Sequence, residues 1–209
     1  MRTPNPLVYL VDDDPSVLRA MKRLLAADGF DTRAYSDPTL FLAEHNPATP
    51  GCILLDMALP GLSGIDVQSK LAAAPRGQPV IFISGGSDVP ATITALKGGA
   101  VDFLLKPFDE SVLLGAVRAA IATDAAQREV AAGAQDVTAR VNGLTPRERA
   151  VFFRVIAGHL NKQIAAELGI VEKTVKVHRA RVMRKMGVRT LAELVRLACK
   201  NGLEQAAFR

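Results

Sequence analysis

Four places in this sequence carry side chains that could do chemistry together. Asp12, Asp13 and Asp14 follow the apolar run LVYLV, Asp56 closes CILLD, Ser84 closes VIFIS, and Lys106 follows DFLL and precedes Pro107. Carboxylates brought together repel unless a cation intervenes. Oxygen ligands with open positions suit Mg²⁺, which takes one or two carboxylates and keeps waters for a phosphate. A carboxylate is also a competent nucleophile towards phosphorus. Phosphoryl transfer asks mainly for positioning and neutralised charge. Mg²⁺ and the Lys106 ammonium could supply positive charge, while Ser84 could hydrogen-bond a phosphoryl oxygen. Asp14, directly before Pro15, suits a helix cap.

These residues are far apart in sequence, so the fold must gather them. Short apolar runs at Leu7–Val11, 52–56, Val80–Ser84 and Asp102–Leu105, with a weaker one at Asp31–Tyr35, read as strands. Near-continuous apolar runs of about five residues fit strands buried on both faces. Between them lie helix patterns at Pro15–Ala27, 38–45, 63–73, 89–98 and 111–122. In the first, Val17, Leu18, Met21, Leu24 and Leu25 follow helical spacing. Five βα units predict a doubly wound α/β fold with a five-stranded parallel sheet. All strand ends of one sense then share one edge, where such folds bind ligands.

Residues 7–122 resemble the response-regulator receiver domain, a flavodoxin-like fold. The likeness rests on VYLVDDD, ILLDMALPGLSG, VIFISGG and DFLLKPF. It implies that Asp56 is the phosphoacceptor. It also implies that Asp12 and Asp13 form an acidic pair holding Mg²⁺ with Asp56 and the Ala58 backbone carbonyl, Asp13 directly. Ser84 and Lys106 take phosphate-contact and switch roles, and Phe103 matches an aromatic switch position. Ala58 and Gly86 depart from relatives that carry polar or bulkier groups there, which bears on phosphate lifetime.

Charge divides the chain. Residues 144–209 hold fourteen Lys/Arg and five Asp/Glu, a charge of +9, while residues 1–143 hold twelve and sixteen, a charge of −4. A basic small domain beside an acidic larger one points to nucleic acid at the C-terminal end. The Ala-rich stretch 123–142 reads as a partly helical linker, and an all-α domain of four helices follows at 143–209. Thr145-Pro-Arg-Glu148 is a capping box with proline at the first helical position. Asn161 is expected to cap the next helix and Gly169 to end it. A helix from Glu172 to Met186 carries Lys173, Lys176, His178, Arg179, Arg181, Arg184 and Lys185 around an apolar side of Val175, Val182 and Met186. Thr190 and Glu193 suggest a second capping box opening a last helix. Two short helices joined by a Gly-containing turn fit a helix-turn-helix, and one-signed charge on the second favours an anionic partner.

This second half resembles the LuxR/FixJ-type DNA-binding domain through LTPRERAVF, NKQIAAELGI and KTVKVHRARVMRKMGV. The resemblance implies that Glu172–Met186 enters the major groove of double-stranded DNA. Lys176 and Val177 match base-edge positions; Lys162, Thr174, His178 and Arg179 match positions at or near phosphates. Glu148 matches a bracing residue, and the last helix a dimerisation surface. Val171 stands where relatives place a capping Ser.

Together the halves suggest a non-enzymatic two-component regulator of transcription: a histidine kinase phosphorylates Asp56, the chain forms a homodimer, and DNA and RNA polymerase are partners. A DNA-binding protein with a vestigial receiver is one alternative, although the set Asp13, Asp56, Ser84 and Lys106 is complete. An aspartate-nucleophile phosphatase is another, but Ala58 stands where such enzymes want a second acid. Cys52 and Cys199 sit among apolar residues and read as core positions; His45 and His159 read as surface or helix-end residues. No apolar run approaches the ~20 residues that span a bilayer, and the N-terminus lacks a signal-peptide pattern, so a cytoplasmic location without membrane partners is the expectation.

Overall fold

The computed structural model describes residues 5–72, 77–86 and 89–203. It forms two compact units, Met1–Arg128 and Glu129–Arg209. In the first, strands β1 (Leu7–Val11), β2 (Asp31–Tyr35), β3 (Gly51–Asp56), β4 (Val80–Ser84) and β5 (Asp102–Leu105) form one sheet in the order β2-β1-β3-β4-β5. Every pairing is parallel. Helices α1 (Pro15–Ala27), α2 (Pro38–Glu44), α3 (Gly64–Ala72) and α4 (Val89–Lys97) connect the strands. The expected end of the third helix at residue 73 lies outside the described residues.

Every residue of β3 is buried, as the continuous apolar run CILLD requires of a central strand. β2 is an edge strand, largely exposed, and its sequence signal is correspondingly weak. The two sheet faces support separate cores. Val8, Leu10, Leu54 and Ile81 meet α1 residues Leu18, Met21 and Leu25 on one side. Tyr9, Ile53, Leu55 and Phe82 meet Phe41 and Val67 on the other. Each fully buried aliphatic of this kind contributes roughly 2 kcal/mol. Asp14 caps α1, its side chain accepting from the Ser16 N–H at 2.7 Å.

Helix α5 runs from Glu110 to Asn142. The stretch 123–142, expected to be helical only in part, is helix throughout. Alanine and straight-chain residues favour this, as do ion pairs one turn apart, Asp124–Arg128 and Asp136–Arg140. Arg128 also donates to the carbonyls of Pro47, Ala48 and Thr49, and Asp124 accepts from the Gly51 N–H. These contacts tie α5 to the loop that feeds β3.

The second unit adds α6 (Pro146–Ile156), α7 (Asn161–Leu168), α8 (Glu172–Met186) and α9 (Leu191–Lys200). Its core joins Val151, Phe152, Ile164, Val175, Val182, Met186 and Leu194 to Val137 and Val141 of α5. The last residues assigned to this domain, 204–209, lie outside the described residues. No described helix is long and apolar enough to cross a membrane.

One expectation needs correction. Cys52 is buried, and burial pushes its thiol up to about 12, but Cys199 is exposed. It follows buried Ala198 by one position, so the helical turn carries it off the inward stripe. His45 is a helix-end residue, the C-cap of α2, and is half-buried. It packs 5.2 Å from both Tyr9 and Phe41, and its Nε2 lies 2.7 Å from Gln78 Oε1.

Candidate functional site

The parallel register places the carboxyl ends of the strands along one edge. Val11 lies opposite Leu55, Asp56 opposite Ile83, and Ser84 opposite Leu105. Asp12, Asp56, Ser84 and Lys106 therefore leave the sheet together. Asp12 and Asp56 are almost fully buried, at 1% and 6% exposure. Lys106 Nζ reaches both, 2.7 Å from Asp12 Oδ2 and 2.7 Å from Asp56 Oδ1. Its backbone is anchored locally, the Lys106 N–H donating to the Ser84 carbonyl at 2.7 Å.

Each carboxylate has a second anchor. Asp12 Oδ1 accepts from the Asp14 N–H at 2.9 Å, and Asp56 Oδ2 from the Ala58 N–H at 2.7 Å. Gly64, the first residue of α3, leaves no room beside this strand end: a Cβ there would come within 2.5 Å of the Asp56 carbonyl oxygen. Burial alone would pull the Lys106 ammonium below its ordinary pKa, but its hydrogen bonds to Asp12 and Asp56 hold it above.

Two buried carboxylates share one ammonium, so the pocket carries surplus negative charge. Buried charge of this kind demands compensation. Asp13 stands next in the chain with its side chain exposed. Asp12 and Asp56 offer carboxylate oxygens, the ligands that Mg²⁺ prefers, although among the described residues no three metal-ligating side chains come together as a ready cation site. Beside the carboxylates lies a hollow of about 420 Å³ whose lining includes Met57, Ala58, Ser84, Gly86 and Phe103. The Ser84 hydroxyl donates to the Gly86 carbonyl at 3.0 Å and accepts from its N–H at 3.2 Å. Phe103 is partly buried, its ring 6.5 Å from that of Phe82. The structure thus joins Asp12, Asp56 and Lys106 directly, sets Ala58, Ser84 and Phe103 around the adjoining hollow, and leaves Asp13 on the surface.

The second candidate site is α8. Val175, Val182 and Met186 face the core, as their spacing predicts. Lys173, Lys176, Val177, Arg181 and Arg184 are exposed, as is Lys162 on α7; Thr174, His178 and Arg179 are half-buried. Lys176 lies 3.8 Å from Glu172 one turn earlier, a solvent-exposed pair of little energetic weight.

Three side chains have partners that sequence reasoning missed. Asn161 is not the cap of α7 but its first residue. Leu160 holds the cap position, its N–H donating to Gln163 Oε1 at 2.7 Å, which frees Asn161 Oδ1 to accept from Arg179 Nη1 at 2.8 Å. Lys185, read as one of the outward cations, turns to Glu148 Oε2 at 2.7 Å and to the Gly143 carbonyl at 3.1 Å. Glu148 is itself buried and completes the capping box with Thr145. Its hydrogen bond from Lys185, with that from the Thr145 N–H, holds its carboxyl down to about 2. The expected box at Thr190 is shifted: Thr190 accepts from the Glu193 N–H, but Glu193 reaches back to the Arg189 N–H. At the start of α8, Val171 occupies the cap position without a side-chain hydrogen bond.

Comparison with known proteins covers both sites. Residues 8–118 match the response regulator receiver domain, and residues 142–198 match the bacterial regulatory proteins of the luxR family. Response regulator protein TmoT of Ectopseudomonas mendocina is 43% identical over 94% of this chain and 90% of its own length. Transcriptional regulatory protein FixJ of Bradyrhizobium diazoefficiens is 41% identical over 94% of this chain and 96% of its own. The solved structure of response regulator StyR superposes with a TM-score of 0.84 at 42% identity, covering 94% of this chain and 99% of that one.

Proposed function

The chain belongs to the response regulators that join a receiver domain to a luxR-family DNA-binding domain, and from that premise we propose that phosphorylation of Asp56 by a histidine kinase controls its binding to DNA. The observation that carries this reading is the Asp12–Lys106–Asp56 cluster, with Lys106 Nζ 2.7 Å from each carboxylate. An Asp56 carboxylate oxygen attacks the phosphorus of a kinase phosphohistidine. The new P–O bond forms as the P–N bond breaks, and the departing imidazole takes up a proton.

Asp12, Asp13, Asp56 and the Ala58 carbonyl are the oxygens assigned to Mg²⁺. The ion supplies positive charge to the phosphoryl oxygens when bound. The Lys106 ammonium, standing at Asp56 Oδ1, is placed to exchange its carboxylate contact for a phosphoryl oxygen. Ser84 can turn its hydroxyl from Gly86 towards the same group. Phe103 lines the hollow that Ser84 would vacate, which suits the switch role assigned to it. Phosphorylation then acts as a population shift, favouring an active form that dimerises.

In the DNA-binding unit, Lys176 and Val177 are the base-edge residues of this reading, and Lys162, Thr174, His178 and Arg179 lie at or near phosphates. The partners are a histidine kinase, double-stranded DNA, a second copy of the chain and RNA polymerase. Incubation with acetyl phosphate and Mg²⁺, followed by intact-mass measurement, tests the acceptor. Wild type should gain one phosphoryl group and Asp56→Asn none. An undiminished adduct on Asp56→Asn would overturn the assignment.

A further inference from the structure

The last turns of α5 do more than lead into the DNA-binding unit. Arg140 Nη1 donates to the Met186 carbonyl at 2.8 Å, and Met186 is the final residue of α8. The last carbonyls of a helix have no partner within it, and a cation there also opposes the negative end of the helix dipole. The neighbouring carbonyls of α8 are served by its own glycine turn: the Gly187 N–H bonds back to Met183 and Arg184. Met186 is left to Arg140.

The guanidinium is held from behind. Its other terminal nitrogen lies 2.7 Å from Asp136 Oδ2, one turn earlier on α5. Gly187, left-handed at φ 68°, makes room: a Cβ there would stand 2.5 Å from Arg140 Nη1. The same end of α8 is gripped a second time, by Lys185 on Glu148 and on the Gly143 carbonyl. Beneath them Val137 and Val141 share a core with Val182 and Met186.

We propose that Arg140 is a positioning residue for DNA recognition, its guanidinium capping the C-terminal end of α8 so that the exposed cations of that helix are held in one place. Base-edge contacts require side chains held within about half an ångström of their targets. A helix pinned at its end can meet that demand; one free to tilt about the core cannot. The inference rests on the DNA-binding reading above and adds a residue of α5 to it.

The test uses the full-length chain and two duplexes, one selected by the wild type from a random-sequence pool and one of scrambled sequence. Affinity is measured across a salt series, with each variant's melting temperature alongside. Arg140→Ala should weaken binding to the selected duplex about tenfold, roughly the weight of one good base contact. Scrambled-duplex affinity and the salt slope should stay unchanged, because no phosphate contact is lost. Arg140→Lys should restore part of the loss, and Asp136→Asn should show a smaller loss of the same kind. If Arg140→Ala does not fold at the assay temperature, those two variants decide. Wild-type affinity for the selected duplex in these variants would overturn the proposal. Equal loss on both duplexes with a shallower salt slope would also overturn it, making Arg140 a phosphate contact. If the wild type selects no duplex, the DNA-binding reading falls and this inference with it.

Discussion

Asp56 is held by two donors, the Lys106 ammonium and the Ala58 N–H, and is otherwise enclosed. Ala58 lends this site its backbone but no polar side chain, although its exposed position borders the hollow beside Asp56. A phosphoryl group on Asp56 would therefore meet no amide at position 58 to orient an attacking water. Ala58→Asn should shorten the phosphate half-life several-fold, on the order of 1 kcal/mol for one hydrogen bond; an unchanged half-life would refute this. Glu148 offers a second prediction. Its folded pKa of about 2 lies below its ordinary value, so its stabilising contribution is present above about pH 4.5 and fades as pH falls towards 2. Glu148→Gln should lower stability by about 2 kcal/mol at pH 7, and the gap to wild type should narrow at pH 3. Chemical denaturation at both pH values checks it; a gap that is equal or wider at pH 3 would contradict it. At this scale the sequence was informative where topology decides position. Asp12, Asp56 and Lys106 converge because parallel strands end on one edge. It was uninformative about Lys185 and Arg179, because only tertiary placement decides whether a helix cation faces solvent, Glu148 or Asn161.

Most elements follow local rules, and besides α7, which starts from Leu160 without a side-chain cap, two exceptions are informative. Asp14, Asp37 and Thr145 all cap their helices through side-chain oxygens, while α8 starts from Val171 with none. Val171 is 68% exposed and already extended at φ −78° and ψ 151°, so a serine would fit the backbone. Val171→Ser should stabilise the DNA-binding unit by about 1 kcal/mol, raising its melting temperature by a few degrees. A melting temperature that is unchanged or lower would count against the cap argument. The second exception is α5. The polar, Ala-rich run 123–142 lacks a continuous apolar stripe, and so reads as a broken helix. Its order comes from ties that no window of local sequence contains: Arg128 to carbonyls some eighty residues away, and Val137 and Val141 to the core around α8. The central strands β1, β3 and β4, in contrast, were legible because burial on both faces writes itself into short apolar runs.

The whole molecule joins an acidic receiver unit to a basic DNA-binding unit, a division visible in the charge count. Family membership and the Asp12–Lys106–Asp56 cluster support one account: chemistry at Asp56 sets how much of the population binds DNA. A tenfold change in affinity requires about 1.4 kcal/mol of differential stabilisation, which the exchange of one carboxylate–ammonium contact for a phosphoryl group can supply. The most direct measurement is the DNA affinity of the full-length chain with and without acetyl phosphate and Mg²⁺, beside the same titration of Asp56→Asn. The account predicts that phosphodonor tightens wild-type binding at least about tenfold and leaves Asp56→Asn unchanged. Wild-type affinity indifferent to the phosphodonor, under conditions where the Asp56 adduct forms, would contradict it.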